Sequence, residues 1–154
     1  HTAYRRQRQM CIRDRNKFMT ENTENTNEHV YFINQLYRDF LLPTILGDDD
    51  ASILYWAGKR IARKYDLSDY DDLVEFFNMA EFGKLEKVKE RRSFTTYELS
   101  GQTVTDRLNS ASKEFSLEGG MIAEAFQKST GRTTECEINI LDKEKKVQFI
   151  ARFG

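Results

Sequence analysis

Residues Glu135 to Phe153 read ECEINILDKEKKVQFIARF and contain two runs in which apolar residues alternate with others. Cys136, Ile138 and Ile140 alternate with polar residues, and a second alternating run follows the turn Asp142 to Lys145. The apolar members of the second run are Val147, Phe149, Ala151 and Phe153. Because successive side chains of a strand point to opposite faces, the two runs predict an antiparallel hairpin with one apolar face.

The segments upstream supply a second hairpin and several helices. Residues 85–91 and 94–99 are rich in β-branched and aromatic residues around a polar turn, which predicts another strand pair. Helical spacing of apolar residues covers 28–41, 53–65, 68–82 and 115–130, while 104–108 fits either a short helix or an irregular crossover. The order of elements predicts an α+β domain with helices packed on one antiparallel sheet.

Individual positions within these helices carry further predictions. The first helix should be a core helix that ends before Pro43, because proline disfavours helical backbone in the residue before it. Its predicted core residues are Val30, Ile33, Leu36, Tyr37, Phe40 and Leu41. Ser68 and Asp71 resemble a capping box at the start of the third helix. Gly119 and Gly120 either allow another backbone to approach closely or mark a helix start.

The helix at Ile53–Tyr65, ILYWAGKRIARKY, combines aromatic and basic residues. Its four cations recur at helical spacing and predict one charged stripe, and Ile53, Ala57 and Ile61 predict a neighbouring stripe that faces the core. The cations are Lys59, Arg60, Arg63 and Lys64. They are either a solvated helix face, which also suits the C-terminal end of the helix dipole, or a surface that binds an anion or a protein partner.

The N-terminal residues differ from the rest in composition. Residues 1–18 contain six basic residues and one acid, and the string RRQRQMCIRDR looks like translated sequencing-adapter sequence; the competing interpretation is a nucleic-acid-binding arm. We expect a natural start at Met19, a disordered lead-in over 19–27, and a single domain over 28–154. Without residues 1–18 the chain carries 18 basic and 24 acidic residues, so general nucleic-acid binding is not expected.

The residues after Met19 offer little catalytic chemistry. They contain one histidine, His29, and one cysteine, Cys136, which lies on the inward side of a predicted strand and is interpreted as structural. A single thiol cannot form an intramolecular disulfide framework, which favours a reducing cytoplasm, and no apolar run is long enough for a membrane span. We therefore predict no catalytic residues, no metal site and no cofactor.

Aromatic residues on three predicted helices could instead form an apolar binding pocket. The candidate pocket residues are Tyr55, Trp56, Phe77 and Phe126. The alternative is that they are ordinary core residues, because aromatic side chains at helical spacing commonly pack in the interior.

Three segments together resemble the YslB-like family of low-GC Gram-positive bacteria: LPTILGDDDASILYWAGKRIARKY, VEFFNMAEFGKLE and FSLEGGMIAEAFQKSTGRTTECEI. The most specific block consists of Tyr55, Trp56, Ala57, Gly58, Lys59, Ala62 and Arg63, supported by Phe76, Phe77, Phe82 and Gly83. The resemblance implies a fold similar to haem-based NO sensors, four-vinyl-reductase ligand domains and TRAPP subunits. Those domains hold an apolar ligand or a partner. The chain has no histidine after Gly83, so the axial ligand of a haem sensor has no candidate there.

These observations lead to three hypotheses about function. The first is a regulatory or adaptor protein of the cytoplasm that binds a protein partner through the helix at 53–65, with a homodimer as one form of partnership. The second is a sensor that binds a small hydrophobic ligand in an apolar pocket. The third, an unrecognised enzyme, has the least support in the sequence.

Overall fold

The computed structural model describes residues 29, 31–110 and 113–154. The segments predicted as adapter-derived and as a disordered lead-in lie outside these described residues. Helix α1 spans residues 31–46; its middle, Gln35–Leu41, is π-helical and its last part, Leu42–Leu46, is α-helical. A 3₁₀ turn, Gly47–Asp49, leads into the next helix. The further helices are α2 (Asp50–Lys64), α3 (Tyr70–Met79), α4 (Gln102–Leu108) and α5 (Ser116–Thr130).

Four antiparallel strands form one sheet in the order β1-β2-β4-β3. The strands are β1 (Lys84–Glu90), β2 (Phe94–Ser100), β3 (Thr134–Leu141) and β4 (Lys146–Phe153). Cys136 pairs with Ala151 and Ile138 with Phe149, so the apolar residues of the last hairpin share one face as predicted. Both predicted hairpins and the α+β class are confirmed, and residues 102–108 form a helix rather than an irregular crossover.

Helix α5 lies at the centre of the core, between the sheet and α2. Every residue from Ser116 to Ala123 is buried. A Cβ on Gly120 would overlap the backbone carbonyl of Tyr55 in α2, and a Cβ on Gly119 would meet the Ile138 side chain of β3. The two glycines thus let α5 approach a helix on one side and a strand on the other, which confirms the prediction of close backbone approach.

The buried stripe of α2 differs from the predicted one. The residues that face α5 are Leu54, Gly58 and Ala62, whereas Ile53 is 39% exposed. The predicted stripe of Ile53, Ala57 and Ile61 was wrong by one residue, because the contact is built around Gly58. A Cβ at that position would overlap the Leu117 carbonyl oxygen, and a hydrophobicity pattern gives no weight to a glycine.

Helix α1 was predicted as a core helix, and this prediction was wrong. Its buried residue is Arg38, while large apolar side chains point to solvent. Those exposed are Phe32, Ile33, Leu36, Tyr37, Phe40 and Ile45. Pro43 does not end the helix either: it lies in the first turn of Leu42–Leu46, a position at which proline's missing N–H is tolerated. Val30 lies outside the described residues.

The start of α3 is capped, but by different residues from those predicted. Asp69 is the N-cap and its carboxylate accepts a hydrogen bond from the backbone N–H of Asp72 at 2.9 Å. The Asp72 carboxylate in turn accepts from the backbone N–H of Ser68 at 3.0 Å. The predicted box of Ser68 and Asp71 was therefore wrong by one position: Asp69 caps the helix, and Asp72 accepts from both the backbone N–H and the hydroxyl of Ser68.

Candidate functional site

The four cations of α2 divide into two pairs with different surroundings. Lys59 donates to Glu135 of β3 at 3.1 Å, and Arg63 donates to Glu124 of α5 at 2.5 Å. Arg60 and Lys64 make no ion pair with any described residue; the Arg60 guanidinium lies 5.2 Å from the Trp56 ring centroid, and Lys64 lies over Tyr65. The predicted single basic stripe is therefore divided: Lys59 and Arg63 form ion pairs with β3 and α5, whereas Arg60 and Lys64 form none with the described residues.

Tyr55 belongs to the structural side of α2. Its hydroxyl donates to Glu135 at 2.6 Å and accepts from the backbone N–H of Cys136 at 2.9 Å. Because β3 is an edge strand, this bond satisfies an N–H that no neighbouring strand reaches. Burial, reinforced by the bond to Glu135, raises the pKa of the Tyr55 phenol. Tyr55 and Lys59 together join α2 to the sheet edge.

Trp56 belongs to the solvent side. Its side chain is 59% exposed, next to the exposed Ile53 and beneath the Arg60 guanidinium. Trp and Arg are the residues that most often dominate the energy of protein interfaces, because each combines a large contact area with a polar group. The exposed face of α2, defined by Ile53, Trp56, Arg60 and Lys64, is the candidate functional site and is called the α2 face below.

The four residues predicted to line one apolar pocket are not brought together. Trp56 is exposed, Tyr55 faces the sheet edge, and Phe77 is completely buried in the core. Phe126 stacks on Phe153 with ring centroids 5.1 Å apart, beside a cavity of about 100 Å³. The predicted pocket was wrong because these aromatic side chains leave their helices in different directions.

A buried ion network that sequence analysis did not find connects α1 to the rest of the domain. Arg38 donates two hydrogen bonds to the carboxylate of Glu118 in α5, at 2.9 and 3.1 Å. Arg107 of α4 reaches the same carboxylate at 3.3 Å and also donates to Asp39 at 3.0 Å. Burial by itself would raise the pKa of Glu118, but the two guanidinium groups outweigh it and hold that pKa below its usual value. One signal was present in the sequence: Arg38 and Asp39 are the only charged residues between positions 31 and 46.

Large apolar residues are exposed mainly in one part of the chain. Among the described residues nine such side chains are exposed, and eight of them lie between positions 32 and 56; the ninth is Val88 of β1. Scattered exposed apolar residues are common on monomers, whereas their concentration on two consecutive helices is typical of an interaction surface. Helices α1 and α2 therefore carry most of the exposed large apolar side chains of the described residues.

Cys136 packs against the core, as expected from its place in the strand. Burial, together with the nearby carboxylates of Glu135 and Glu137, raises the pKa of its thiol. A protonated thiol is a poor nucleophile and a poor metal ligand. Within residues 31–110 and 113–154 no group of three or more His, Cys, Asp or Glu side chains is arranged to hold a metal ion.

None of the helices in the described part of the chain has the length and apolar character needed to cross a bilayer.

Comparisons with known proteins agree with the fold. The chain is 34% identical over 114 residues to the uncharacterized protein YslB of Bacillus subtilis (strain 168), and the alignment covers 73% of this chain and 77% of YslB. The crystal structure of a vinyl-4-reductase family protein from Methanocaldococcus jannaschii superposes with a TM-score of 0.54 at 14% identity, over 66% of this chain and 68% of the other. That likeness confirms the predicted fold. Residues 31–152 match the family described as protein of unknown function (DUF2507), and the chain belongs to this family.

Proposed function

We propose that this protein is a non-enzymatic adaptor that binds an acidic protein partner through the α2 face. The observation that carries the proposal is the exposed pair of Trp56 and Arg60, with Lys64 one turn further along the helix. An exposed tryptophan under a guanidinium presents apolar area and positive charge at the same point. A partner that covers both would gain from burial of the ring and from a carboxylate placed against Arg60 and Lys64.

The α2 face is presented on a fixed support. On the opposite side of the helix, Gly58 and Gly120 bring the backbones of α2 and α5 into close contact. Tyr55 and Lys59 add hydrogen bonds to the edge strand. A rigid surface loses little conformational entropy on binding, which favours recognition by a preformed site.

Charge favours an acidic partner over a basic one. Residues 19–154 contain 24 acidic and 18 basic residues, so Arg60 and Lys64 form a local cationic patch on a stretch whose net charge is negative. An acidic segment would be attracted to this patch. Electrostatic complementarity of this kind selects both the partner and its orientation.

The packing supports the adaptor proposal over a sensor of a small hydrophobic ligand. Ligand sites in proteins have volumes of about 300–1,000 Å³. The cavity beside Phe126 has about 100 Å³ and is lined in part by Asp69, Lys87 and Glu90. Two depressions are larger: one of about 650 Å³ has the charged residues Lys89, Glu90, Arg91 and Arg152 in its lining, and one of about 310 Å³ borders α1. Neither is lined by any of the four aromatic residues predicted to form the pocket.

The ionisable groups in the interior also favour a non-enzymatic role. Both oxygens of the Glu118 carboxylate accept hydrogen bonds from arginines. The raised pKa of the Cys136 thiol opposes nucleophilic chemistry at neutral pH. These groups are engaged in holding the structure together and are poorly placed to act on a substrate.

Affinity capture with the purified chain as bait tests the proposal. The prey would be a lysate of Bacillus subtilis, which carries a relative of this family. We expect Arg60→Glu/Lys64→Glu to lose a captured protein that the wild type retains, because both substitutions reverse charge on the α2 face. Trp56→Ala should weaken the same capture by about 2 kcal/mol or more, as for a central interface residue.

The matched control is Lys89→Glu/Lys143→Glu, which changes the net charge equally at two exposed positions away from α2. It should capture the partner as well as the wild type, and all variants should melt at the same temperature. A partner that remains bound to both the Arg60/Lys64 and the Trp56 variants would exclude the α2 face as its binding site.

A further inference from the structure

The outward side of α1 carries six of the nine exposed large apolar side chains found among the described residues. Three aromatic and three aliphatic side chains point to solvent along residues 32–45, and they are Phe32, Ile33, Leu36, Tyr37, Phe40 and Ile45. We call this surface the α1 face. Phe40, at its middle, is 65% exposed. A helix that buried this face in its own core would show the opposite arrangement.

The α1 face is also uncharged. Arg38 and Asp39 are the only charged residues between positions 31 and 46, and both are turned inward. The Arg38 side chain is 10% exposed and that of Asp39 is 7% exposed, since each is held in the buried network with Glu118 and Arg107. Because both charged side chains point inward, the outward side of α1 carries only apolar and neutral polar groups.

The inward network also fixes the orientation of the helix. Arg38 and Glu118 are joined by two hydrogen bonds at 2.9 and 3.1 Å, and Arg107 adds a bond to Asp39. Rotation of α1 to bury its apolar side chains would bring these charges into solvent and break bonds that are shielded from water. The apolar residues therefore stay outward for as long as the network holds.

From this surface we infer that α1 pairs with α1 of a second copy of the chain, so that the protein is a symmetric homodimer. Charge is the first reason. Two α1 faces can meet without bringing like charges together, because the one carboxylate that borders them, Asp39, is 7% exposed and paired with Arg107.

Area is the second reason. An aromatic side chain buries about 150–250 Å² when covered, so the exposed fractions of Phe32, Tyr37 and Phe40 correspond to about 250–450 Å² in total. Ile33, Leu36 and Ile45 add to this area. The sum approaches the ~800 Å² per partner of a standard interface and reaches the upper range of patches on stable monomers.

Shape is the third reason. A groove of about 310 Å³ runs along the α1 face; Phe32, Leu36 and Phe40 give it apolar walls, and Gln35, Asp39 and Ser110 complete the lining. A protruding side chain of a second copy can enter this groove, and twofold symmetry then places the same side chain of the first copy in the groove of the second. A lipid surface is a poorer match, because membrane-surface helices carry Lys or Arg beside their apolar face and α1 exposes neither.

Sedimentation velocity of the full chain tests the inference. We expect the wild type to sediment as a dimer and Phe40→Glu as a monomer, with the dissociation constant raised about 100-fold or more because each copy places a carboxylate in the interface. Phe32→Glu, about two turns along the helix, should act in the same direction. Val88→Glu is the matched control, since it adds the same charge at an exposed apolar position on β1, and it should remain dimeric.

Fold integrity is checked by circular dichroism, which should be unchanged for all three variants. A wild type that stays monomeric up to about 100 μM, far above the dissociation constant of a standard-sized interface, would overturn the inference. A dimer that survives both Phe40→Glu and Phe32→Glu would also overturn it, because another surface would then be responsible. So would capture of a different protein on the α1 face of a monomeric wild type.

This outcome is separable from that of the proposed function. Arg60→Glu/Lys64→Glu should abolish capture of the acidic partner and leave the dimer intact. High salt should likewise weaken the α2 contact, which depends on charge, and leave the neutral α1 contact in place.

Discussion

Helices α1 and α2 follow each other in the chain and are both amphipathic, yet they face the domain with opposite sides. Helix α2 buries Leu54, Gly58 and Ala62 and directs Trp56 and cations outward. Helix α1 buries Arg38 and directs aromatic and aliphatic side chains outward. The difference shows that an apolar stripe on a helix predicts a surface that is favourably buried. The stripe does not say whether the same chain or another molecule buries that surface.

The two helices are also attached by different physical means. The contact of α2 with α5 depends on shape, because Gly58 and Gly120 allow the backbones to touch. The contact of α1 depends on buried charge, because Arg38, Asp39, Arg107 and Glu118 pair with one another out of solvent. The strength of the α2–α5 packing contact should change little with pH and salt, whereas the strength of the buried ion network depends on the protonation of its carboxylates.

The largest effect is expected from Glu118→Gln, which removes the charge that both arginines share. Arg38 would lose its anion and Arg107 would keep only Asp39, and breaking a buried ion pair of this kind costs about 3–5 kcal/mol of unfolding free energy. Urea denaturation measures the loss. As a control, Glu137→Gln breaks an exposed pair with Arg152 and should cost less than about 1 kcal/mol. Similar losses for the two variants would show that α1 is not held by the network.

A smaller loss is expected from Gly120→Ala on the shape-dependent side of the comparison. The added methyl group would overlap the Tyr55 carbonyl, and overpacking against backbone costs about 1–3 kcal/mol or more. Gly119→Ala is the matched control one residue away, where the neighbour is the flexible end of the Ile138 side chain, and it should cost less. If the two substitutions cost the same, close approach of α2 and α5 is not what the glycine provides.

Acid should distinguish the two contacts in the wild-type protein, because it weakens the ion network of α1 and leaves the packing of α2 on α5 unchanged. The pKa of Glu118 in the folded state lies below its usual value, so its contribution to stability is present above the unfolded-state pKa of 4.5 and is lost as pH falls through the folded-state pKa. We expect the wild type to lose stability in that acidic range and Glu118→Gln to lose less. Parallel pH profiles for the two proteins would contradict this assignment.

The sequence was sufficient to predict most of the architecture. Strict alternation from Cys136 onward placed the last hairpin correctly, and of the two interpretations of Gly119 and Gly120, close approach of another element is the one that the structure confirms. Alternation in a strand is a local signal, so a single chain carries it in full.

The outward orientation of the apolar side of α1 and the division of the α2 cations into those paired and those unpaired among the described residues could not be predicted from local sequence patterns. The ion pair of Lys59 depends on Glu135, which lies 76 residues away in the sequence. Whether Arg38 turns inward depends on Glu118, 80 residues away. Pairings over such distances are set by the tertiary fold, and hydrophobic periodicity carries no record of them.

Tryptophan fluorescence of the native chain tests the central claim most directly, because Trp56 is the only tryptophan in the sequence. The claim is that Trp56 lies on the exposed α2 face beside Arg60 and lines no enclosed pocket. We predict red-shifted emission, strong quenching by acrylamide, and still stronger quenching by iodide, which the positive charges of Arg60 and Lys64 attract. Blue-shifted emission that resists both quenchers would place Trp56 in an enclosed site and contradict the account.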